Sequence, residues 1–168
     1  MDKSAFHMMS YGLYVVSAAT DSEKAACLVN TGLQLTGNPL SMMVCVNKDN
    51  ATADVIAHAH AFTVTVIDQT ADMIYLGNFG FRTSKNYDKF EKFEVKTSAV
   101  DSPYVEEHTC AVMACKLINT IDVGTHYIFV GEVVDAKRTS DNVPMTYEYY
   151  HTVLKGKTPP KASSYIKD

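Results

Sequence analysis

Two long β-rich runs, residues 109–121 and 125–136, are joined only across Asp122-Val123-Gly124-Thr125. So short a link returns the chain antiparallel to itself, and the pair predicts a long hairpin within an antiparallel sheet. Phe62-Thr63-Val64-Thr65-Val66-Ile67 alternates apolar and polar side chains, the period of a half-buried strand. Further β-rich runs cover 11–19, 24–30 and 40–47. Helical patterns are few. One starts near Ala51–Thr52 and runs to His60. A second covers 70–79, with Thr70 as N-cap and Gly80 as stop, and a short third covers 87–92. Many strands, few helices and no βαβ alternation predict a mainly β fold, an antiparallel barrel or sandwich with helical insertions.

The chain has 168 residues, 46% of them hydrophobic, enough for one domain with a full core and too few for two. The patterning weakens after Val143. Residues 1–148 are therefore expected to form the domain, and 149–168 an extended tail lying on that domain or on a partner surface. A net charge of −4 and the lack of any Lys/Arg block argue against nucleic acid as a partner. Neither a signal peptide nor a membrane span is expected, which points to the cytoplasm. Cys27, Cys45, Cys110 and Cys115 form no C-x-x-C pair, so reduced thiols are expected rather than a disulfide framework or a metal site. His58 and His60 alternate with alanines and read as a solvated helix face. Asn50-Ala51-Thr52 matches a glycosylation acceptor but has no secretory context.

The chemistry-bearing stretch begins where the apolar strand Met42-Met43-Val44-Cys45-Val46 ends in Asn47-Lys48-Asp49-Asn50-Ala51-Thr52 and a helix follows. Free backbone N–H groups and the positive end of the helix dipole suit a phosphate there, with Lys48, Asn50 and Thr52 beside it. Lys48 is otherwise an exposed strand-end lysine. Upstream, Asn30-Thr31-Gly32-Leu33-Gln34-Leu35-Thr36-Gly37-Asn38-Pro39 is rich in amide, hydroxyl and backbone donors. It suits the carbonyl and ring-nitrogen edge of a flat heterocycle, or else a hairpin loop that satisfies its own backbone. A phosphate at one end and a polar ring at the other suggest a mononucleotide-like cofactor.

These two segments, with Phe79-Gly80-Phe81-Arg82-Thr83-Ser84, Asp88-Lys89-Phe90 and Gly124-Thr125-His126-Tyr127-Ile128-Phe129-Val130-Gly131-Glu132-Val133, make the chain similar to the flavin reductase-like family of FMN-binding split barrels. The last segment resembles that family's Gly-Asp-His…Gly-Glu-Val pattern, with Thr125 in place of the Asp. The tail, from Tyr149-Tyr150-His151 through Gly156-Lys157-Thr158-Pro159-Pro160 to Tyr165, is similar to flavin reductase domains that in some anaerobes are followed by rubredoxin. No rubredoxin C-x-x-C is present, so a rubredoxin partner would be a separate protein.

The resemblance implies an antiparallel split β-barrel of Greek-key type with FMN as cofactor and NAD(P)H as electron donor. It implies a homodimer with the flavin site at or near the subunit interface. Its contact segments carry over to Asn30, Thr31, Gly32, Leu33, Gln34, Leu35 and Thr36 beside the ring. They carry over to Asn47, Lys48, Asn50 and Thr52 at the phosphate, and to Phe79, Gly80, Arg82, Ser84 and Lys85 as a third segment. His126 is a nicotinamide-side contact by the same analogy, or a histidine of the barrel wall. No G-x-G-x-x-G follows a strand, so no Rossmann site is expected. Hydride transfer between stacked rings needs no protein acid or base, and no catalytic triad is assigned. The expected activity is NAD(P)H-dependent flavin reduction or electron delivery to a small redox protein such as rubredoxin. The rivals are a flavoredoxin-like carrier with no NAD(P)H site of its own and a non-catalytic flavin-binding module. A pyridoxamine-phosphate oxidase would share the barrel but needs a further phosphate cluster.

Overall fold

The computed structural model describes residues 1–166. Nine strands and three helices follow a short 3-10 turn, Lys3–Met8. Seven strands make one antiparallel sheet: β1 (Tyr14–Ala19), β2 (Lys24–Val29), β3 (Gly32–Gly37), β4 (Leu40–Asn47), β5 (Ala61–Ile67), β8 (Thr109–Asp122) and β9 (His126–Arg138). Their order across the sheet is β2-β1-β5-β8-β9-β4-β3. β2 and β3 are thus the opposite edges, yet only Asn30 and Thr31 separate them in the chain. Seven flat strands at about 4.8 Å spacing would hold these edges roughly 29 Å apart. Two linking residues span only about 11 Å. The sheet must therefore roll until its edges meet, and Cys45 N–H of β4 donates to the Thr31 carbonyl at that seam (3.0 Å). The expected β8–β9 hairpin is present, paired from Asp122↔Tyr127 to Ala111↔Arg138.

The period-2 alternation feeds two cores. Val16 and Ala18 of β1 join Val44, Val46, Ile56, Phe62, Val64, Cys115 and Phe129 inside the roll. Leu13 and Val15 instead face Ile67, Leu76, Phe79, Phe90, Met145, Tyr147 and Tyr150 on the outside. Helix α1 (Ala51–Ala59) buries Thr52, Ala53, Val55 and Ile56, and helix α2 (Met73–Gly80) buries Tyr75, Leu76 and Phe79. A small separate ribbon pairs β6 (Val95–Thr97) with β7 (Pro103–Val105). No described helix is long and apolar enough to cross a membrane.

Several local expectations are corrected. Residues 32–37 form an edge strand rather than a loop, because pairing with β4 satisfies the backbone that the side chains were expected to satisfy. The cap of α2 is Asp72, whose carboxylate accepts from Ile74 and Tyr75 N–H. Thr70 instead donates to Asp68. Residues 87–92 make turns and no helix. The tail begins with helix α3 (Tyr147–Thr152), capped by the Thr146 hydroxyl, because i, i+3 spacing lets Tyr147 and Tyr150 enter the outer core together. All four cysteines are free thiols. His58 and His60 are exposed, and no group of three potential metal ligands exists among the described residues.

Gly131 is where β9 crosses closest to the inner core. A Cβ there would fall 2.8 Å from both Cys115 Cβ and the Phe62 ring. Gly131→Ala is therefore expected to destabilise the fold by roughly 1–3 kcal/mol through overpacking. Denaturant unfolding checks this, and an unchanged midpoint would mean the wall yields there.

Candidate functional site

At the seam, the end of β2, the end of β4, the first turn of α1, the end of α2 and the start of β9 surround a cleft of about 240 Å³. Its polar lining includes Asn30, Asn47, Asn50 and His126. Its apolar lining includes Leu28, Val29, Cys27, Cys45 and Phe81. Chain segment 159–163, with Tyr147 and Tyr150 behind it, forms the opposite wall.

Each polar group is held by local structure. Asn47 bends the chain out of β4, its Oδ1 accepting from Asp49 N–H (2.9 Å), which leaves its Nδ2 for the cleft. Asn50 occupies the N-cap of α1 but makes no side-chain cap bond, so its amide is uncommitted to the helix. Asn30 is buried, and its Oδ1 accepts from the Thr31 and Ser163 hydroxyls (3.3 and 3.0 Å). His126 opens β9 at 8% exposure. Its Nε2 lies 3.1 Å from the Lys161 carbonyl and its Nδ1 2.8 Å from the Thr125 hydroxyl. A carbonyl only accepts, so Nε2 carries a proton, and in the neutral ring Nδ1 accepts from Thr125. The Thr125 hydroxyl, which can donate or accept, fits that tautomer, and the Lys161 carbonyl fixes it.

The cleft holds no nucleophile poised for neutral pH. Burial pushes the Cys27 thiol up, against a smaller pull from the Thr52 hydroxyl, and burial also raises Cys45. An arrangement of amides, an imidazole N–H and apolar walls can bind and orient a planar group. The reactivity has to come with the ligand.

A second hollow, of about 420 Å³, lies on the other side of the first turn of α1, lined by Ala51, Asp54, Ser84, Lys85 and Lys89 among others. Ser84 reaches it from a loop stitched to the edge of β2, its hydroxyl bonded to Ala26 N–H (3.2 Å) and the Ala26 carbonyl (3.3 Å). Lys89 is 4% exposed and donates to the Phe79 carbonyl at the C-terminal end of α2 (2.7 Å). Burial brings its ammonium down to about 8, so it remains a cation at neutral pH.

Of the residues expected from sequence, the cleft brings together Asn30, Asn47, Asn50, Gly80 and His126, and the hollow takes Ser84 and Lys85. The others lie elsewhere in the single chain. Gly32, Leu33, Gln34, Leu35 and Thr36 run along the sheet edge, where Thr36 bonds Ser41 and the Pro39 carbonyl. The Thr31 hydroxyl meets Ser163 (2.6 Å). Lys48 turns toward the β8–β9 hairpin, 2.6 Å from Asp122 and over the Tyr127 ring. Thr52 and Phe79 are core residues at 1% exposure each, and Arg82 stacks on Tyr87. Phe81, Lys89 and Lys161 also line these spaces; the first two lie in the segments that carry the family resemblance but were not among the expected contacts, and Lys161 lies in the tail. For Lys89 the available signal was the lysine between Asp88 and the apolar Phe90, both of which fix its loop.

A flavin reductase like domain model matches residues 6–156. The NAD(P)H ferric-chelate reductase of Archaeoglobus fulgidus is 41% identical over 167 residues, 99% of each chain. The high molecular weight rubredoxin of Moorella thermoacetica is 36% identical over 165 residues, covering 98% of this chain and 72% of that one. Among solved structures, the NADH:FAD oxidoreductase of Streptomyces globisporus C-1027 superposes with a TM-score of 0.77 over 86% of this chain and 85% of its own. At 21% identity that likeness bears on the fold.

The buried lysine has a pH signature. Lys89 loses its proton near pH 8 when folded and near 10.5 when unfolded. Between those values the unfolded chain holds more protons, so raising the pH through this window favours the folded state. The stability difference between the native chain and Lys89→Met should therefore move in favour of the native chain from pH 8 to 10.5. Taking the difference cancels the other groups that titrate there. Urea unfolding at stepped pH measures it, and a flat difference would mean the ammonium is solvated.

Proposed function

The chain belongs to the flavin reductase-like domain family, and we propose that it oxidises NAD(P)H through FMN and hands the electrons to free flavin or to a small redox protein of the rubredoxin kind. The observation that carries this reading is the convergence of Asn30, Asn47, Asn50 and His126 on one cleft. Beside it, across the first turn of α1, lies a hollow with Ser84, Lys85 and Lys89. A ring edge with carbonyl and nitrogen acceptors matches the amide and imidazole donors of the cleft. A phosphate would pair with Lys85 and Lys89 beside a helix N-terminus, in a hollow that Lys24, Glu23, Asp54 and Asp88 also line. FMN held there would supply the redox chemistry, and the cleft and hollow residues would bind and orient it.

The protein's part is placement. Asn30 and Asn50 hold the ring by its polar edge, and Lys85 and Lys89 offset the phosphate charge. His126 presents Nε2–H to the nicotinamide carboxamide and so fixes the ring that gives up the hydride. Leu33 and Leu35 on β3 and Leu40 on β4 are 57%, 43% and 40% exposed. Such an edge supports a homodimer in which a second copy covers β3 and brings residues 32–36 to the flavin. Four free thiols support a reducing compartment, and we assign the protein to the cytoplasm.

The test is anaerobic addition of NADH to the FMN-loaded protein, which should bleach the flavin within the mixing time of a manual experiment. A flavin that dithionite bleaches and neither NADH nor NADPH touches would leave only a carrier. His126→Ala should slow NADH-driven reduction by about tenfold, the worth of roughly one orienting hydrogen bond, with dithionite reduction unchanged. Equal rates in the two proteins would reduce His126 to a wall residue. Sedimentation should give twice the chain mass, and a monomer with full flavin occupancy would reject the shared site.

A further inference from the structure

The geometry points to residues 159–164 as a displaceable strap whose Lys161 peptide carbonyl holds the seat of an incoming carboxamide, so that strap and nicotinamide compete for one place. This rests on the functional reading above.

The tail changes character at Thr158. Before it, the chain is anchored in the outer core. Tyr147 OH donates to the Thr158 hydroxyl (2.9 Å), Tyr150 OH donates to the Lys157 carbonyl (3.1 Å), and His151 Nδ1 lies 2.8 Å from the Gly156 carbonyl. Gly156 itself passes so close to the Tyr150 ring that a Cβ would fall 2.0 Å from its Cζ. After Thr158, no residue through 166 is buried. Polar contacts fasten the strap. The Lys161 carbonyl accepts from His126 Nε2 (3.1 Å) and Asn47 Nδ2 (3.3 Å). Ser163 and Ser164 bond Asn30. The Lys161 ammonium lies 3.3 Å from Asp49, with both side chains more than half exposed. Exposed ion pairs of this kind are weak latches.

Chemistry and size say what the strap stands in for. A peptide carbonyl that accepts from an imidazole N–H and an amide N–H is the same acceptor class as the carbonyl of a primary carboxamide. The cleft beneath the strap measures about 240 Å³. That is below the range of about 300–1,000 Å³ that encloses a drug-sized ligand. Two stacked ring systems cannot fit while the strap is down. The donor pair His126 and Asn47 is also separate from the Ser84, Lys85 and Lys89 hollow. Lifting the strap therefore vacates the place of the second ring and leaves the phosphate side untouched.

The experiment uses the FMN-loaded full chain with NAD+ as an unreactive probe and trypsin as the reporter. Cleavage after Lys161 should accelerate at least threefold when NAD+ saturates, while Lys155 and Lys157, on the anchored side, keep their rates. Unchanged or slowed cleavage at Lys161 overturns the proposal. A chain ending at Thr158 should bind NAD+ several-fold more tightly and show a several-fold lower KM for NADH. A raised KM, or loss of FMN from a folded protein, makes the strap a binding wall and overturns it too. Should that shortened chain not fold, Asp49→Asn in the full chain must speed Lys161 cleavage without NAD+, and no change there counts against the latch. Failure of the functional reading looks different: NADH leaves the full chain's flavin oxidised and NAD+ does not bind.

Discussion

Everything at the cleft depends on the two residues, Asn30 and Thr31, that join the opposite edges of a seven-stranded sheet. They force the sheet to roll, and the roll brings the ends of β2, β4 and β9 to one seam although they lie far apart in sequence. The same two residues then hold the strap through Ser163 and Ser164. Closure of the fold and closure of the site are one geometric event. This explains why so polar a pair is tolerated where a buried Asn30 needs every hydrogen bond it makes.

The cleft is electrostatically quiet. Its wall carries amides and thiols that burial pushes toward the protonated form, with Lys161 paired to Asp49, while Lys85 and Lys89 line the hollow across the first turn of α1. The outward nitrogen of His126 is a donor because it faces the Lys161 carbonyl, and the Thr125 hydroxyl adapts to the other nitrogen.

The strands with clean alternation were legible because period 2 is written in side chains that face two cores, as in β5 and β1. β3 was not, since an edge strand exposed from Leu33 to Gly37 has no buried partner to impose a pattern. α3 was hidden because its two tyrosines signal helix only once the outer core they enter is known. Within the site, residues that turn the chain, Asn30, Asn47 and Asn50, could be read from their place between elements. The place of Lys48 could not, because what decides a lysine is which partner its long side chain meets. Asp122 lies 74 residues from Lys48, and only the β4–β9 register brings the two together.

The division of labour between the two cores has a bearing on biosynthesis. The inner core draws on strands from β1 to β9, whereas the outer one needs Met145, Tyr147 and Tyr150 beside Leu13 and Val15. A ribosome therefore releases a rolled sheet before it releases the residues that shield the sheet's second face. During that interval Leu13, Val15, Leu76 and Phe79 lack part of their apolar cover.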